Sequence, residues 1–535
     1  MFWIFHRKKA FEHNFPFFTG FFSQKLQNSS LGLSYSSTIT KAPHMNSLKI
    51  KKFLKSFFIY HFVILGGFFF SAFTYADDFS PPTSQYNYLG QGIRHILDSR
   101  HYDAAIGIYV QSLQTGRVYF SKNAQSLLAP ASIQKLITVS AALLFLKPTF
   151  QFTTSLFKTG SIDHGVLNGN LYVQFSGDPS LKRSDLFALL SKLKTKGIEQ
   201  INGNVIIDDN AFDHIPYPPG WAWDDLSYDY AAPLRTIVID RNRFSMRFAP
   251  SRVAGAHAIL STNLPNGVIT IFNHVRTTRY RVRHCPVSIY SNDRNQFAIH
   301  GCLLQSAGKQ SRALAVRNML PLAKAYVDEA LKNENIAYIG KIKEAKTPLN
   351  SVVLAQHDSA PLSQLIMHLL KKSDNLYANA LLKKMGAVYF HRPGSWQNGL
   401  AAEKAILLPV GLNISNVRLN DGAGLSRYNY VTPLFMSKVL WTINRNATLK
   451  KYLVPALPIA GVDGTLIYRM SNLGKQQCLR AKTGSTDNIS SLAGFVRTKN
   501  HGLVSFVVIA NNFVNNRYWY VSLENKIGEY LYHAP

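Results

Sequence analysis

Hydrophobic positions recur with recognisable periods at both ends of the chain. Ile93, Ile96 and Leu97 fall on one face of a predicted helix over residues 85–100. Two strand-like runs follow at 105–113 and 116–120, separated by a short turn. Three further strand-like runs and a closing helix are predicted near the C-terminus, at residues 477–482, 491–497, 503–509 and 518–531.

The stretch between these ends has a different pattern. Short β-type runs, such as 171–175, 205–207 and 236–239, alternate with Gly, Pro, Asn and Asp, and helical patterns return at 361–371 and 376–384. This order predicts an α/β (α+β) domain that is discontinuous in sequence. We expect its two parts at residues 77–155 and 346–535, separated by a mainly β insertion over 156–345 that could have two lobes.

Residues 1–76 read as an N-terminal extension and a leader rather than as part of that domain. Met45 opens a lysine-rich stretch, an apolar run covers Phe57 to Phe73, and Ala76 offers a small residue for cleavage. This order predicts a secretory signal peptide with the true start at Met45. An uncleaved membrane anchor is the alternative, because the run is near the lower length limit of a span. The residues before Met45 are then an upstream mis-start or an unusual extension.

Charge narrows the choice of partners. The 535 residues include 59 Lys and Arg against 29 Asp and Glu, a formal net charge of +30. Residues 1–76 hold nine of the basic residues and one of the acidic ones, so the remainder keeps +22. Such an excess suits an anionic surface. Nucleic acid is a poor fit for an exported protein, so we expect peripheral association with a cell wall or membrane, or a charge that only aids solubility.

The cysteines and histidines give little sign of metal chemistry. Only three cysteines occur, and in an oxidising compartment Cys285 and Cys302 could close a short loop with a structural disulfide, which leaves Cys478 unpaired. The chain has no His-Glu-x-x-His and no Cys-x-x-Cys pattern, and its 17 histidines are scattered. The sequence therefore predicts no metal site. It also lacks a Gly-x-Ser-x-Gly elbow, which argues against an α/β-hydrolase.

One short pattern carries the first chemical signal. Ser132 and Lys135 stand three residues apart, just ahead of an apolar run that reads as a buried helix. Positions i and i+3 lie on one helix face, so the hydroxyl faces the amine. A serine becomes a nucleophile when a base takes its proton, and a lysine can be that base if burial or a second cation lowers its pKa. Alone, the pattern also arises by chance.

Two later clusters supply partners for this pair. Ser373 and Asn375 lie at a break between two predicted helices, where they can relay a proton and hold Lys135, although Ser-Asp-Asn alone reads as a helix cap. Lys482-Thr483-Gly484 ends a predicted strand, where its lysine can lower the pKa of Lys135 and attract a carboxylate, although alone it reads as a turn. Together, Ser-x-x-Lys, Ser-x-Asn and Lys-Thr-Gly form the set of penicillin-binding proteins and class A β-lactamases.

The chain resembles the serine D-Ala-D-Ala carboxypeptidase/endopeptidases of the type-four penicillin-binding protein (DacB) family. Ser132 and Ser373 are 241 residues apart, and a large insertion between these motifs distinguishes the family from class A β-lactamases. The resemblance implies a serine transpeptidase/β-lactamase-like fold, in which helices flank an antiparallel sheet. It covers residues 85–535 and includes four further stretches, at 176–181, 218–225, 240–242 and 421–427.

The resemblance also implies roles for individual residues. Ser132 would be the acylated nucleophile, Lys135 its general base, and Ser373 and Asn375 the relay and positioning pair. The N–H groups of Ser132 and Ser485 would form the oxyanion hole. The remaining implied residues would bind substrate: Lys482, Thr483 and Ser485 at the terminal carboxylate, Gly484 by allowing close approach, and Asp225 and Arg427 at the diamino acid of the stem peptide.

The implied activity is hydrolysis of peptidoglycan stem peptides through an acyl-serine, without a metal or other cofactor, in the periplasm of a Gram-negative-type bacterium. β-Lactams would acylate the same serine. Carboxypeptidase and cross-link endopeptidase activity both stay open, because both use one site. A catalytically silent wall-binding scaffold is disfavoured by the intact motifs, and a β-lactamase-like enzyme by the long insertion. The residues do not indicate an oligomeric state.

Overall fold

The structure is a computed structural model that describes residues 88–514 and 516–535. The predicted extension and signal peptide, residues 1–76, lie outside the described residues. Among the helices of the described chain, none has both the length and the apolar character needed to cross a membrane.

The described residues form ten α-helices and twenty strands, numbered in chain order. The helices are α1 (Tyr88–Asp98), α2 (Lys135–Phe145), α3 (Arg183–Thr195), α4 (Leu320–Asn333), α5 (Leu362–Lys372), α6 (Asn375–Phe390), α7 (Trp396–Leu407), α8 (Pro433–Arg445), α9 (Ala447–Ala456) and α10 (Tyr518–His533). The strands are β1 (Ala105–Ser112), β2 (Val118–Lys122), β3 (Thr153–Lys158), β4 (Ser161–Asp163), β5 (Val166–Asn168), β6 (Leu171–Gln174), β7 (Gln200–Ile201), β8 (Val205–Asp208), β9 (Arg243–Ala249), β10 (Ile259–Thr262), β11 (Thr270–Thr278), β12 (Ser288–Ser291), β13 (Gln296–Leu304), β14 (Gln310–Ala315), β15 (Ala337–Tyr338), β16 (Ile342–Glu344), β17 (Val352–Asp358), β18 (Leu479–Thr486), β19 (Ile489–Arg497) and β20 (Leu503–Asn511).

An antiparallel sheet built from both ends of the chain supports the candidate active site. Its strand order is β18-β19-β20-β1-β2, and β1 pairs with β20 along its whole length, with Ile108 opposite Val508. Residues of β1, β19 and β20 are almost all buried. An antiparallel sheet often leaves one face in water, so this burial means that helices cover both faces.

Alternate residues of β20 belong to different hydrophobic cores, as the two-residue period of a strand requires. Val507 and Ile509 pack into a core that includes residues of α2 and of α5 to α9. Phe506 and Val508 pack on the opposite face against α1 and α10. The central sheet is therefore the middle layer of a three-layer structure.

The segment between α2 and α5 has its own hydrophobic core. Helices α3 and α4 pack together there beside two sheets, of order β16-β8-β6-β3-β17 and β15-β7-β5-β4. Two three-stranded sheets, β10-β9-β14 and β11-β13-β12, share the same core. They form a sandwich, in which the Phe244 ring of β9 meets the Phe297 ring of β13 edge-on at 5.3 Å.

The predicted fold class is confirmed, with an antiparallel sheet between helices at its centre. The strand predicted at 236–239 is wrong. Its backbone is held by side chains instead of a neighbouring strand, since Ile237 N–H donates to Asp209 and Ile239 N–H to Asn242. The β-rich middle also contains α3, whose Leu186, Leu189, Leu190 and Leu193 form a buried helical stripe.

Candidate active site

Ser132 lies in a single 3-10 turn, Ala131–Gln134, that leads directly into α2. The segment before the turn is bound to the central sheet. Ser491 Oγ donates to the Pro130 carbonyl at 2.7 Å, and the Asn511 side-chain amide bonds both the N–H and the carbonyl of Ala129, at 2.6 and 3.0 Å. These bonds, from β19 and β20, hold the segment that leads to the serine against the central sheet.

Lys135 is fully buried and uses all three of its ammonium donors. Its Nζ donates to Ser132 Oγ at 2.8 Å, to Asn375 Oδ1 at 2.6 Å and to the Ala423 carbonyl at 2.6 Å. Burial lowers the pKa of Lys135 to about 7, against the opposing charges of Asp421 and Asp374. A large fraction of this amine is therefore unprotonated near neutral pH, with a lone pair beside the serine hydroxyl.

The Ser-x-Asn residues lie at the junction of α5 and α6. Ser373 directly follows the last residue of α5, and its left-handed φ of 58° turns the chain into the next helix. Asp374 caps α6 by accepting hydrogen bonds from the N–H groups of Leu376 and Tyr377 at 3.1 and 3.4 Å. The middle residue is thus the helix cap, and the residues on either side of it face the two motif lysines.

Asp374 also ties this junction to the β-rich segment. Its carboxylate forms an ion pair with Arg241 at 2.6 Å and a hydrogen bond with His368 at 3.2 Å. Burial alone would raise the pKa of Asp374, but the hydrogen bond from His368 and the charge of Arg241 hold it below its usual value. The junction therefore carries a stable buried anion directly behind Ser373 and Asn375.

Lys482 lies on β18 and is also fully buried. Its Nζ donates to Ser373 Oγ and to the Thr483 carbonyl, each at 2.7 Å. Burial and the charge of Lys135 together lower the pKa of Lys482 well below its ordinary value. Burial is therefore the main cause of the lowered pKa at both lysines.

The rest of the Lys-Thr-Gly strand passes close to the nucleophile. A Cβ atom on Gly484 would lie 2.9 Å from Ser132 N, 2.8 Å from the Pro130 carbonyl and 2.3 Å from Ser491 Oγ. Glycine is required here because β18 itself approaches the serine turn. Thr483 Oγ1 donates to Thr465 Oγ1 at 2.8 Å, and Ser485, two residues further on, is exposed.

Asp421 organises the backbone on the other side of Lys135. Its buried carboxylate accepts N–H hydrogen bonds from four residues of its own loop, at 2.7 to 3.2 Å, and from Trp221 Nε1 at 2.8 Å. Asn429 Nδ2 donates at 2.9 Å and Gln134 Nε2 more weakly at 3.4 Å. The Ala423 carbonyl, which accepts from Lys135, belongs to the loop that these bonds shape.

The two residues expected at the stem-peptide diamino acid lie on different elements. Asp225 accepts a hydrogen bond from Tyr230 Oη at 2.7 Å, and the Tyr230 carbonyl in turn accepts from Asn375 Nδ2 at 2.8 Å. Arg427 donates to Thr486 Oγ1 at 3.0 Å, at the end of β18. No hydrogen bond or ion pair joins Asp225 to Arg427 among the described residues. A cavity of about 340 Å³ opens beside Ser373, Asn375 and Tyr230.

Two further groups lie away from the motif residues. Cys285 and Cys302 form a disulfide with a Cα–Cα distance of 5.3 Å, and Cys478 is free. Asp209, His214 and Glu344 come close enough to hold a metal ion. However, the Arg235 guanidinium contacts all three, at 2.5 Å from Asp209 and 3.3 Å from Glu344, so a protein cation already fills that position.

Sequence reasoning missed several contacts at this site. Asn375 is held by the backbone carbonyl of Tyr230, and Lys135 by that of Ala423. Every residue type has such a carbonyl, so the sequence gives no sign of these contacts. Trp221 and Asp421 fall in two of the stretches that carry the family resemblance, but neither belongs to the three catalytic motifs. Thr465, the partner of Thr483, had no signal in the sequence.

A serine hydroxyl beside a buried lysine, on an antiparallel sheet covered by helices, defines a serine-type hydrolase of the penicillin-binding class. The comparisons agree: the model of the D-Ala-D-Ala carboxypeptidase 3 (S13) family matches residues 92–519. The chain belongs to this family and is a D-Ala-D-Ala carboxypeptidase in that sense, so the resemblance drawn from the three motifs is confirmed.

Individual relatives give the same result. The chain is 34% identical to D-alanyl-D-alanine carboxypeptidase DacB of Haemophilus influenzae over 412 residues, 76% of this chain and 85% of that protein. The crystal structure of penicillin-binding protein 4 (dacB) from Haemophilus influenzae superimposes with a TM-score of 0.77 and 32% identity, covering 82% of this chain and 99% of that one. The same protein in complex with a β-lactam gives a TM-score of 0.73 at 31% identity, with the same coverage.

Proposed function

We propose that this protein is a periplasmic serine-type hydrolase of peptidoglycan stem peptides, acting as a D-Ala-D-Ala carboxypeptidase, as a D-alanyl cross-link endopeptidase, or as both. The observation that carries the proposal is the contact between Lys135 Nζ and Ser132 Oγ, 2.8 Å apart, with the lysine fully buried. This is the arrangement that an activated serine nucleophile needs.

Acylation begins when the neutral amine of Lys135 takes the proton of Ser132 Oγ. The oxygen attacks the carbonyl carbon of the penultimate D-alanine, and the N–H groups of Ser132 and Ser485 stabilise the oxyanion. The C–N bond then breaks. The leaving amine takes up the proton that Lys135 removed from Ser132, which leaves Lys135 neutral again. Ser373, whose hydroxyl is 2.7 Å from Lys482 Nζ, is the proposed relay for this proton.

Deacylation reuses the same base. Lys135 takes a proton from a water molecule, which attacks the ester carbonyl, and the acyl group leaves as a carboxylate while Ser132 regains its hydroxyl proton. Asn375 keeps Lys135 in place throughout, since its side chain is itself anchored on the Tyr230 carbonyl.

Substrate recognition rests on the end of β18 and its neighbours. Lys482, Thr483 and Ser485 would hold the terminal carboxylate, and the close approach permitted by Gly484 brings this strand to the nucleophile. Asp225 and Arg427 offer opposite charges, which match the ammonium and carboxylate groups of a diamino acid side chain. A β-lactam carries a carboxylate next to a reactive carbonyl, and the β-lactam complex of the Haemophilus influenzae relative supports acylation of Ser132 by such compounds.

A fluorescent penicillin tests the nucleophile. We expect covalent label on the parent protein, none on Ser132→Ala, and full label on the matched control Ser126→Ala, whose side chain is exposed in a nearby loop. A parent that stays unlabelled while folded would instead favour the silent wall-binding scaffold.

Two further measurements address substrate and location. Release of D-alanine from a pentapeptide and cleavage of a cross-linked muropeptide dimer would separate carboxypeptidase from endopeptidase activity. Recovery of the protein in the periplasmic fraction, starting at residue 77, would support export with cleavage after Ala76, and an intact N-terminus in the membrane fraction would point to an uncleaved anchor.

A further inference from the structure

Positive charge is concentrated in the β-sandwich of β9 to β14. Between Arg241 and Arg317 the chain holds twelve arginines and lysines and a single acidic residue, Asp293. Ten of the twelve are exposed. This segment therefore contributes a large part of the net positive charge, on surface that none of the proposed catalytic steps uses.

Most of these charges gather at one end of the sandwich. Strands β11 and β13 run parallel and end at Thr278 and Leu304, so the loops that follow them emerge side by side. Gln305 joins these loops to a third, because its N–H donates to the Thr278 carbonyl at 2.8 Å and its side chain to the Arg252 carbonyl at 2.6 Å. We call this the basic end; its cations are Arg247, Arg252, Arg276, Arg279, Arg281, Arg283, Lys309 and Arg312.

The disulfide gives the basic end a defined shape. Cys285 lies in the loop after β11 and Cys302 lies on β13, and Cys302 N–H also donates to the Cys285 carbonyl at 3.1 Å. Arg281, Arg283 and His284 line a depression of about 470 Å³ next to this bond. The cross-link therefore holds the arginine loop on the sheet.

The charges of the basic end have no counter-charge among the residues that the structure describes. Within the described residues, none of its eight cations has a carboxylate oxygen within 4 Å, whereas Arg241 and Arg243, outside the basic end, pair with Asp374 and Asp229. The single acid, Asp293, lies in the turn between β12 and β13, at the opposite end of the sheet. These cations are therefore left to attract an external anionic surface.

Exposed apolar side chains lie among these cations. Tyr280 is 78% exposed and Val282 is 49% exposed, and both alternate with Arg279, Arg281 and Arg283 along the loop. Val253, in the adjoining loop, is 65% exposed. A soluble polyanion would neutralise the arginines but would bury none of these apolar groups. An anionic bilayer does both, because its headgroups carry the charge and its interface accepts tyrosine and aliphatic side chains.

We propose that the basic end docks the enzyme on the surface of an anionic phospholipid bilayer. The opposite end of the same sheet reaches the catalytic segment, since Ser291 Oγ donates to Ser227 Oγ at 3.0 Å and Tyr290 stacks on Trp223 at 5.4 Å. A nine-residue strand such as β13 spans roughly 30 Å. Docking through the basic end therefore holds the catalytic cavity away from the lipid, on the side where a cell-wall polymer would lie.

Co-sedimentation of the purified full chain with vesicles tests the proposal. We expect binding to phosphatidylglycerol-containing vesicles, little binding to pure phosphatidylcholine vesicles, and release by salt. Each arginine near such a surface contributes about fivefold in partitioning. Charge reversal at three of them (R279E/R281E/R283E) should therefore lower binding more than a hundredfold. Reversal of three exposed lysines elsewhere (K450E/K451E/K475E) matches the charge change and should have a far smaller effect.

The variants also separate the alternatives. Thermal unfolding at the parent's temperature would establish that the arginine variant is folded, and Tyr280→Ser with Val282→Ser should weaken vesicle binding while leaving all charges in place. Equal losses in the two charge-reversal variants would mean that only net charge matters and would overturn the proposal. Vesicle binding that is unchanged in R279E/R281E/R283E would also overturn the proposal. The same holds for retention of the parent on isolated peptidoglycan with no retention on anionic vesicles.

Discussion

Replacing Asp421 by asparagine should destabilise the protein and change the titration of its catalytic base. Asparagine has nearly the same shape, but one carboxylate oxygen becomes an N–H2 group. The Oδ2 oxygen of Asp421 accepts from Leu425 N, Ser426 N and Trp221 Nε1, and Oδ1 accepts from at least as many donors. Whichever way the amide is oriented, three or more buried N–H groups would face another donor.

The magnitude follows from those three groups. A buried donor left unsatisfied costs about 1–3 kcal/mol. Partial relaxation of the loop reduces the sum, so we expect the free energy of unfolding to fall by about 3–6 kcal/mol. A typical domain is stable by about 5–15 kcal/mol, and the variant should therefore unfold at much lower urea concentration. Asp163→Asn, at an exposed position on β4, is the matched control and should change stability by less than about 0.5 kcal/mol.

The same substitution should move the pH dependence of acylation. In the parent, the rate should rise with pH through about 7, because Lys135 must be neutral to accept the proton. The Asp421 charge raises the pKa of Lys135, so its removal should shift this acid limb to lower pH. Urea unfolding and penicillin acylation across pH measure the two effects. A loss below about 1 kcal/mol together with an unmoved acid limb would refute this account of Asp421.

Two further substitutions test buried positions around the catalytic residues. Gly484→Ala places a methyl group against backbone atoms of Pro130 and Ser132. We expect acylation to slow at least tenfold and the free energy of unfolding to fall by about 1–3 kcal/mol. The control Gly308→Ala adds its methyl group in open space and should leave acylation unchanged. Glu403 is fully buried, and burial raises its pKa from 4.5 to about 8. As the pH rises, glutamate ionises in the unfolded chain before it ionises in the folded protein. The free energy of unfolding of the parent should therefore fall by about 3 kcal/mol between pH 4.5 and pH 7, whereas that of Glu403→Gln should not show this fall. Parallel curves of stability against pH for the two proteins would contradict this.

The three motifs could be found from sequence because their chemistry depends on side chains at short, fixed spacing. Ser132 and Lys135 are three residues apart, and Ser373 and Asn375 flank a helix cap that has its own local signal. The strands of the central sheet were equally accessible, since β1, β19 and β20 are apolar almost throughout. Local pattern was enough for these elements.

Local pattern failed where a long-range contact decides the structure. The β-branched run at 236–239 has the composition of a strand, yet the side chains of Asp209 and Asn242 satisfy its backbone. Helix α3 has a clear stripe of four leucines, but it lies within a region whose other short apolar runs predict strands. The Ala423 carbonyl that holds Lys135 lies 288 residues away, and any residue type supplies a carbonyl.

These long-range contacts give the β-rich segment a role in positioning the general base. Trp221 donates to the carboxylate that shapes the Ala423 loop, and the Tyr230 carbonyl anchors the amide of Asn375. Trp221 and Tyr230 both belong to one short stretch of the segment between α2 and α5. Asn375 and the Ala423 carbonyl, which bind Lys135 together with Ser132, are therefore both positioned by that segment. A variant that lacks this segment should therefore lose the geometry of the general base as well as any surface that the segment provides.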